Sequence, residues 1–328
     1  MWLNRFLVVL AVFALFSPAQ AQQPGKVPRI GYLHPGSSAT FSVARLDAFR
    51  QAYVISVILK ERTLPSNIDL RMERSEAEGL PELAAELVRL NVDVIVTTGT
   101  PAVRAIKKAS ATIPIVFAAI SHPVENGIVS SFARPGGNAT GLTILTEELS
   151  GKRLELLKET VPTVTRIGAL SDLTNPTQPL EWKELLAAAK GLGLKLQSLG
   201  LRSANDFDGA FEAALIERAQ ALMTLSQPLM VGHRKRIVEF ASKNKLPAIY
   251  PTPELIDEGG LMCYASIYTD LFRRAGAYVD KILKGVKRAD LPVERPTKFE
   301  FIINLKAAKQ IGLTIPQSVL YRADRVIK

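Results

Sequence analysis

The chain has 328 residues, with 41 Lys and Arg against 31 Asp and Glu for a formal charge of +10. At 47% hydrophobic and 22% charged residues, with 21 Gly and 20 Pro, it is neither a disordered chain, a collagen-like repeat nor a coiled coil, and its length suits one large domain or two ordinary ones. A single cysteine, Cys263, excludes an internal disulfide framework and any multi-cysteine metal site, and His34, His122 and His233 leave little for a histidine-based metal centre.

Residues 1–21 combine a basic start at Arg5, an apolar stretch over 6–16 and the small-x-small sequence Ala19-Gln20-Ala21. That is the pattern of a secretory signal peptide cleaved after Ala21. The apolar stretch is shorter than the about 20 residues a transmembrane helix needs, and no cysteine follows it for lipid attachment. The expected location is the periplasm.

Beyond this leader, short β-branched runs alternate with helical patterns, which predicts parallel sheets built from βαβ units. Arg29-Ile-Gly-Tyr-Leu33 is a first strand, and Arg166-Ile-Gly-Ala-Leu170 nearly repeats it in the second half. Leu80, Leu83, Leu87 and Leu90 fall on one face of a helix, with Glu82, Glu86 and Arg89 elsewhere. A strand within 92–101 then leads through a Pro-containing loop and a helix to Ile113-Pro-Ile-Val-Phe117, and 221–228 leads in the same order to Leu246-Pro-Ala-Ile-Tyr250. Near the C-terminus, Leu271, Ala275, Tyr278, Val279 and Ile282 form another core-facing stripe that stops at Gly285. The recurrence predicts two similar α/β lobes.

In open parallel sheets ligands bind at the carboxyl ends of the strands. The loops there cover 34–40, 97–101 and 120–124 in one lobe and 171–177, 226–229 and 250–254 in the other. They carry hydroxyls, amides and one histidine, which can orient a small polar ligand by hydrogen bonds. The candidate contacts are Ser37, Ser38, Thr98, Thr100, Ser121 and His122 from the first lobe, with Asn175, Ser226, Gln227 and Tyr250 from the second. Each also has a structural reading, as a cap or turn residue or, for Tyr250, as packing at a strand end. No GxGxxG or GxxxxGK[ST] marks a nucleotide site, and no GxSxG elbow marks a hydrolase. Cys263 in its apolar run reads as a buried inert thiol, and His233-Arg-Lys-Arg236 as a solvated helix face. The basic residues are scattered rather than gathered with aromatics, so no nucleic-acid partner is expected. Neither catalysis, a cofactor nor a metal is expected.

Several stretches together resemble the ABC-transporter substrate-binding proteins of the tryptophan/tyrosine type. They are Leu80-Pro-Glu-Leu-Ala-Ala-Glu-Leu-Val-Arg89, Asp93-Val-Ile-Val-Thr-Thr-Gly-Thr-Pro-Ala102, Ala133-Arg-Pro-Gly-Gly-Asn-Ala-Thr-Gly141, Gly259-Gly-Leu-Met-Cys-Tyr264 and Pro296-Thr-Lys-Phe-Glu-Phe-Ile-Ile-Asn304. The resemblance covers nearly all of the chain after the leader. It implies the type I periplasmic binding fold, two Rossmann-like lobes with parallel sheets joined by three hinge crossings near 141–145, 260–266 and 291–298. Lobe one would then hold 27–142 plus 266–291, and lobe two 143–265 plus 292–328. It further implies a receptor that captures an amino acid, aromatic or other small organic solute and delivers it to an ABC permease in the inner membrane; the alternative is a sensory subunit for a membrane receptor or kinase.

Two places depart from the family pattern. Relatives usually read Asp-Pro-Val where this chain reads His122-Pro-Val124, and loss of that carboxylate points to an anionic or neutral ligand. After Gln51, where relatives end a helix in a Gly-containing turn, this chain reads Ala52-Tyr-Val-Ile-Ser-Val-Ile-Leu-Lys-Glu-Arg-Thr63. Codons for these residues read one frame over can encode nearly the family text, which suggests a compensated frameshift between about Ala52 and Arg71. The β-branched run of 54–58 is expected to threaten the first helix and the strand after it.

Overall fold

The computed structural model describes residues 28–34, 43–58, 68–72, 79–144 and 146–328. The leader, Ser37, Ser38 and most of the connection after Ile58 lie outside the described residues.

The first half alternates β1 (Ile30–His34), α1 (Val43–Ile58), β2 (Ile68–Met72), α2 (Leu80–Arg89), β3 (Val94–Thr97), α3 (Thr100–Ala109), β4 (Ile115–Ile120) and β5 (Ala139–Thr143). Its strands form a five-stranded parallel sheet in the order β2-β1-β3-β4-β5. The second half supplies α4 (Thr146–Thr160), β6 (Arg166–Asp172), α5 (Gln178–Gly191), β7 (Lys195–Leu201), α6 (Phe207–Ile216), β8 (Ala221–Thr224), α7 (Pro228–Gly232), α8 (Arg234–Lys243), β9 (Ala248–Tyr250), α9 (Glu254–Asp257) and β10 (Met262–Ser266). After α10 (Tyr268–Leu283) come β11 (Phe299–Asn304) and β12 (Arg325–Ile327), which complete a seven-stranded sheet in the order β12-β11-β10-β9-β8-β6-β7. Only the β10–β11 pair in it is antiparallel.

The chain crosses between the two sheets three times: after β5, between β10 and α10, and between α10 and β11. The α10 helix returns to the first sheet, where it packs along α1 and against β4 and β5. Its buried Leu271, Ala275, Tyr278 and Val279 join Ile30, Phe49 and Val96 in one core, as the stripe in the sequence predicts. Two crossings run side by side. Glu294 donates its backbone N–H to Gly141 O at 3.0 Å and accepts from the Thr143 N–H at 2.9 Å, so the segment before β11 extends the edge next to β5.

The repeated strand motif has a packing reason in both halves. A Cβ on Gly31 would come within 2.9 Å of the Leu87 side chain, and one on Gly168 within 2.8 Å of Leu199. Gly141 is more constrained: its φ is +148°, and a Cβ there would lie 2.0 Å from the Phe117 carbonyl oxygen.

The expected damage at 54–58 does not occur in the backbone. The α1 helix runs unbroken for 16 residues through that stretch, and β2 pairs in register with β1. A β-branched residue lowers helix propensity only slightly, and α1 as a whole is held along α10, with Leu46 and Phe49 in the shared core.

Candidate functional site

The carboxyl ends of β1, β3, β4 and β5 face those of β6, β8, β9 and β10 across a cleft, and side chains from the two sides touch there. Ser121, just past β4, donates its hydroxyl to Glu181 Oε1 at 3.3 Å. His122 Nε2 lies 3.8 Å from Glu184 Oε2. Farther along, Arg45 of α1 forms an ion pair with Glu254 of α9. The Arg45 guanidinium also lies 4.1 Å above the ring of Tyr268, whose hydroxyl shares a 3.3 Å hydrogen bond with Ser226. The lobes are thus closed on one another.

Glu181 is the centre of these contacts. It stands in the first turn of α5, because the helix begins directly after the loop that leaves β6. Its Oε1 also accepts from the Thr177 hydroxyl at 3.1 Å, and its Oε2 accepts from Gln227 Nε2 at 3.4 Å. Gln227 is held in turn by the Asp172 N–H, which donates to its Oε1. The carboxylate is only 2% exposed, and burial pushes its pKa from 4.5 up to about 7, against the opposing pull of the Thr177 bond and the charge of His122.

A second buried ionisable group lies behind it. Arg153 of α4 is 1% exposed, and donates from Nε to Tyr264 O at 2.8 Å and from Nη1 to Ser150 Oγ at 3.3 Å. Burial lowers its pKa, and Glu181 is among the groups whose charge opposes that. Unpartnered polar atoms accompany the pair. Thr224 Oγ1, Thr252 Oγ1 and Ser266 Oγ, each at or within two residues of a strand end, are buried without a hydrogen-bond partner among the described residues. A ligand in the cleft is the natural means of satisfying such groups.

The residues singled out in the sequence fare unequally. Ser121, His122, Ser226 and Gln227 meet at the seam between the lobes. His122 adopts a left-handed φ of 48°, and its carbonyl accepts from both nitrogens of Asn126, which fixes the turn that aims it at Glu184. Thr98 and Thr100 flank Gly99 at the start of α3, with Thr100 buried. Asn175 serves the turn before α5, its Oδ1 accepting from the Thr177 N–H at 3.0 Å and lying 2.8 Å from the Thr177 hydroxyl, whose one proton it shares with Glu181 Oε1. Tyr250 is not brought to the cleft. As the last residue of β9 it turns into the core of the second lobe, 1% exposed beside Leu255 and Cys263, so its packing reading holds. Cys263 is fully buried and burial raises its thiol pKa, in keeping with an inert thiol. The basic run near His233 is spent on surface ion pairs, Arg234 with Glu258 and Arg236 with Asp208.

Glu181, Arg153, Arg45, Glu254 and Tyr268 escaped the sequence reading. A usable signal existed for Glu181: the first turn of a helix that follows a strand-end loop faces the cleft as closely as the loop does.

The model of the ABC transporter substrate binding protein family matches residues 59–327. The chain belongs to that family. Its match begins within the departure that starts at Ala52 and reaches almost to the C-terminus. A relative in this family's range is the tyrosine-binding protein of Clostridioides difficile, 27% identical over 247 residues that span 75% of this chain and 70% of the relative. Among solved structures, an ABC domain from Streptococcus pneumonia in complex with L-Trp superposes with a TM-score of 0.80 at 26% identity, covering 91% of this chain and all of that one. A conserved domain protein from Vibrio cholerae gives 0.82 at 26% identity, covering 92% of this chain and again all of the other. The substrate-binding protein described above therefore has the type I periplasmic binding fold. Among its described residues no helix is long and apolar enough to cross a membrane.

Proposed function

We propose that the protein is the exported receptor of an ABC importer, which captures a small organic solute of the amino-acid class between its lobes and delivers it to a permease in the inner membrane. The observation that carries this reading is the seam at the strand ends, where Ser121 of one lobe and Thr177 and Gln227 of the other converge on one buried carboxylate. The ligands named for the relatives, tyrosine and L-Trp, support the solute class. Both are zwitterions, which argues against the anionic or neutral ligand suggested by His122 when that loop is read alone.

In this reading lobe one comprises 27–142 plus 266–291 and lobe two 143–265 plus 292–328. The leader of 1–21 directs the chain to the periplasm. Ser121, His122, Thr98 and Thr100 approach the solute from lobe one, joined by Ser37 and Ser38 of the first loop; Gln227 and Ser226 approach from lobe two, with Asn175 shaping the loop beside them. The mechanism is a population shift. Contacts to both lobes favour the closed state, and the permease reads closure.

A thermal-shift screen of the protein without its leader against amino acids, aromatic acids and other small anions tests this. A solute at about 100 times its Kd stabilises the folded state by about 2.7 kcal/mol, a rise of several degrees. The expected hits are amino acids with large side chains; no shift with any solute contradicts the proposal.

A further inference from the structure

We propose that Glu294 is a positioning residue for lobe closure: paired with Arg274, it anchors the third crossing to lobe one and confines the pivot of that crossing to residues 295–298. This rests on the closure reading above and adds what sets its angle.

The three crossings differ in length. The first occupies only 144–145, between β5 and α4, and the second is Ile267 alone, between β10 and α10. The third runs over 291–298 before β11 begins. Reach grows with every residue, so short crossings can swing the lobes while the long one, if loose, lets them slide.

The first part of the long crossing is tied to lobe one. The Val293 N–H donates to Phe132 O at 2.7 Å, and its side chain is buried in the core around Phe117 and Ile128. Glu294 then joins the edge of β5 through its backbone bonds to Gly141 and Thr143. Its carboxylate turns to α10. There Oε2 accepts from Arg274 Nε at 3.0 Å and from Nη2, and Oε1 lies 2.8 Å from the Tyr278 hydroxyl, whose one proton it shares with Pro292 O at 2.6 Å. Two guanidinium nitrogens on one partly buried carboxylate fix geometry better than an exposed contact does. Arg274 Nη1 in turn lies 3.8 Å from Oδ2 of the buried Asp270, which accepts from Lys298 Nζ at 2.9 Å and from Arg273 Nη1 at 3.4 Å. Opposite charges thus alternate through Glu294, Arg274, Asp270 and Lys298, from the β5 edge to the far side of the pivot.

After Glu294 the chain changes sides. Arg295 covers the Phe132 ring of lobe one but reaches Glu148 of α4, 3.9 Å away. The Lys298 carbonyl accepts from the Ile267 N–H at 3.0 Å, which binds the third crossing to the second. Lobe one's hold therefore extends past 291, where the reading above ends it, to Glu294.

The test is the distance between the lobes, read by pulsed dipolar EPR of the protein without its leader, with spin labels at Glu125→Cys, past β4, and Lys190→Cys, near the end of α5. Both positions are exposed, and the native Cys263 is buried, so the labels go to the introduced thiols. Adding Glu294→Ala should about double the width of the ligand-free distance distribution, while the distribution at saturating tyrosine or tryptophan stays that of the wild type. Because the share of molecules poised to close falls, calorimetric affinity for these amino acids should drop by about tenfold. Glu294→Gln, which keeps an acceptor without the charge, should lie between, and Lys298→Ala, at the exposed end of the chain, should cost about twofold or less.

An unchanged ligand-free distribution in Glu294→Ala overturns the inference even where the urea midpoint falls, since a merely structural pair lowers stability alone. A wider distribution with unchanged affinity also overturns it. Should Glu294→Ala fail to fold, Arg274→Met, which removes the same contact from the other side, is read by the same outcomes. If neither amino acid binds even the wild type, the solute reading falls, and the ligand-free distributions still decide whether Glu294 holds the hinge.

Discussion

On the five-stranded side of the cleft the edge is made by backbone and short polar groups: Thr97 donates its hydroxyl to Leu33 O at 2.8 Å, Thr143 donates to Ile120 O at 2.7 Å, and Ser121 and His122 follow β4. On the seven-stranded side the edge carries ionisable groups, with Glu181 and Arg153 almost wholly buried and Glu184 and Glu254 closer to solvent. The first edge is stiff, because its hydroxyls are tied into the sheet. The second holds charge at a cost in desolvation. In the proposed reading the second edge, with its buried carboxylate, is the one that would discriminate between ligands.

The sharpest way to break the first edge is Gly141→Ala. The added Cβ collides with the Phe117 backbone in a conformation L-residues avoid, and neither strand can yield without losing the β4–β5 pairing. Overpacking and strain together should cost more than about 3 kcal/mol, read as a lower urea midpoint or as insoluble protein. Gly168→Ala, which crowds only the methyl end of the Leu199 side chain, should cost far less.

The second edge breaks at Arg153. Replacing it by Ala leaves the Tyr264 carbonyl without its donor, worth about 1–3 kcal/mol before any cavity is counted. Arg153→Lys should recover little, since a single ammonium cannot span both Tyr264 and Ser150.

Glu181 adds a pH signature confined to lobe two. Its folded-state pKa, about 7, lies above the ordinary 4.5, so the folded state binds the proton more tightly than the unfolded one. The associated stability is fully present below the unfolded pKa and is lost as pH rises from about 4.5 through about 7, amounting to about 3 kcal/mol at 1.36 kcal/mol per unit. Urea unfolding of wild type and Glu181→Gln across this range should diverge, with the variant the flatter of the two. Parallel curves would place the buried charge elsewhere.

These two edges were legible in the sequence to different degrees. The repeated Arg-Ile-Gly motif gave β1 and β6, and the leucine stripe over 80–90 gave α2, with Leu80 and Leu87 buried. Strand-end position also found Ser121, His122, Ser226 and Gln227, because a loop after a parallel strand has only the cleft to face. Glu181 and Arg153 were invisible for the opposite reason. On a helix a Glu or Arg usually lies in solvent, and only tertiary placement reveals these two as buried. Tyr250 was misplaced by one residue of strand alternation, since the last residue of β9 still belongs to the core. The β-branched run at 54–58 was judged by propensity alone, whereas the helix it ends packs as a whole along α10.

The smallest expected effect lies between the edges, at the contact of Arg45 with Glu254 and Tyr268. Both charged groups keep partial exposure, 18% and 24%, so the pair is worth about 1 kcal/mol at most. Arg45→Ala should therefore weaken ligand binding by no more than about fivefold, and small-angle scattering of the ligand-free variant should show a more expanded average particle. An unchanged scattering profile would mean that this contact follows closure without favouring it.

The account is tested most directly by a crystal structure of the protein with the amino acid that gives the largest thermal shift. The predicted result is a ligand enclosed at the strand ends, held between the Ser121 edge of one lobe and the Gln227 edge of the other. A ligand bound outside the cleft, or one that touches a single lobe, would contradict it.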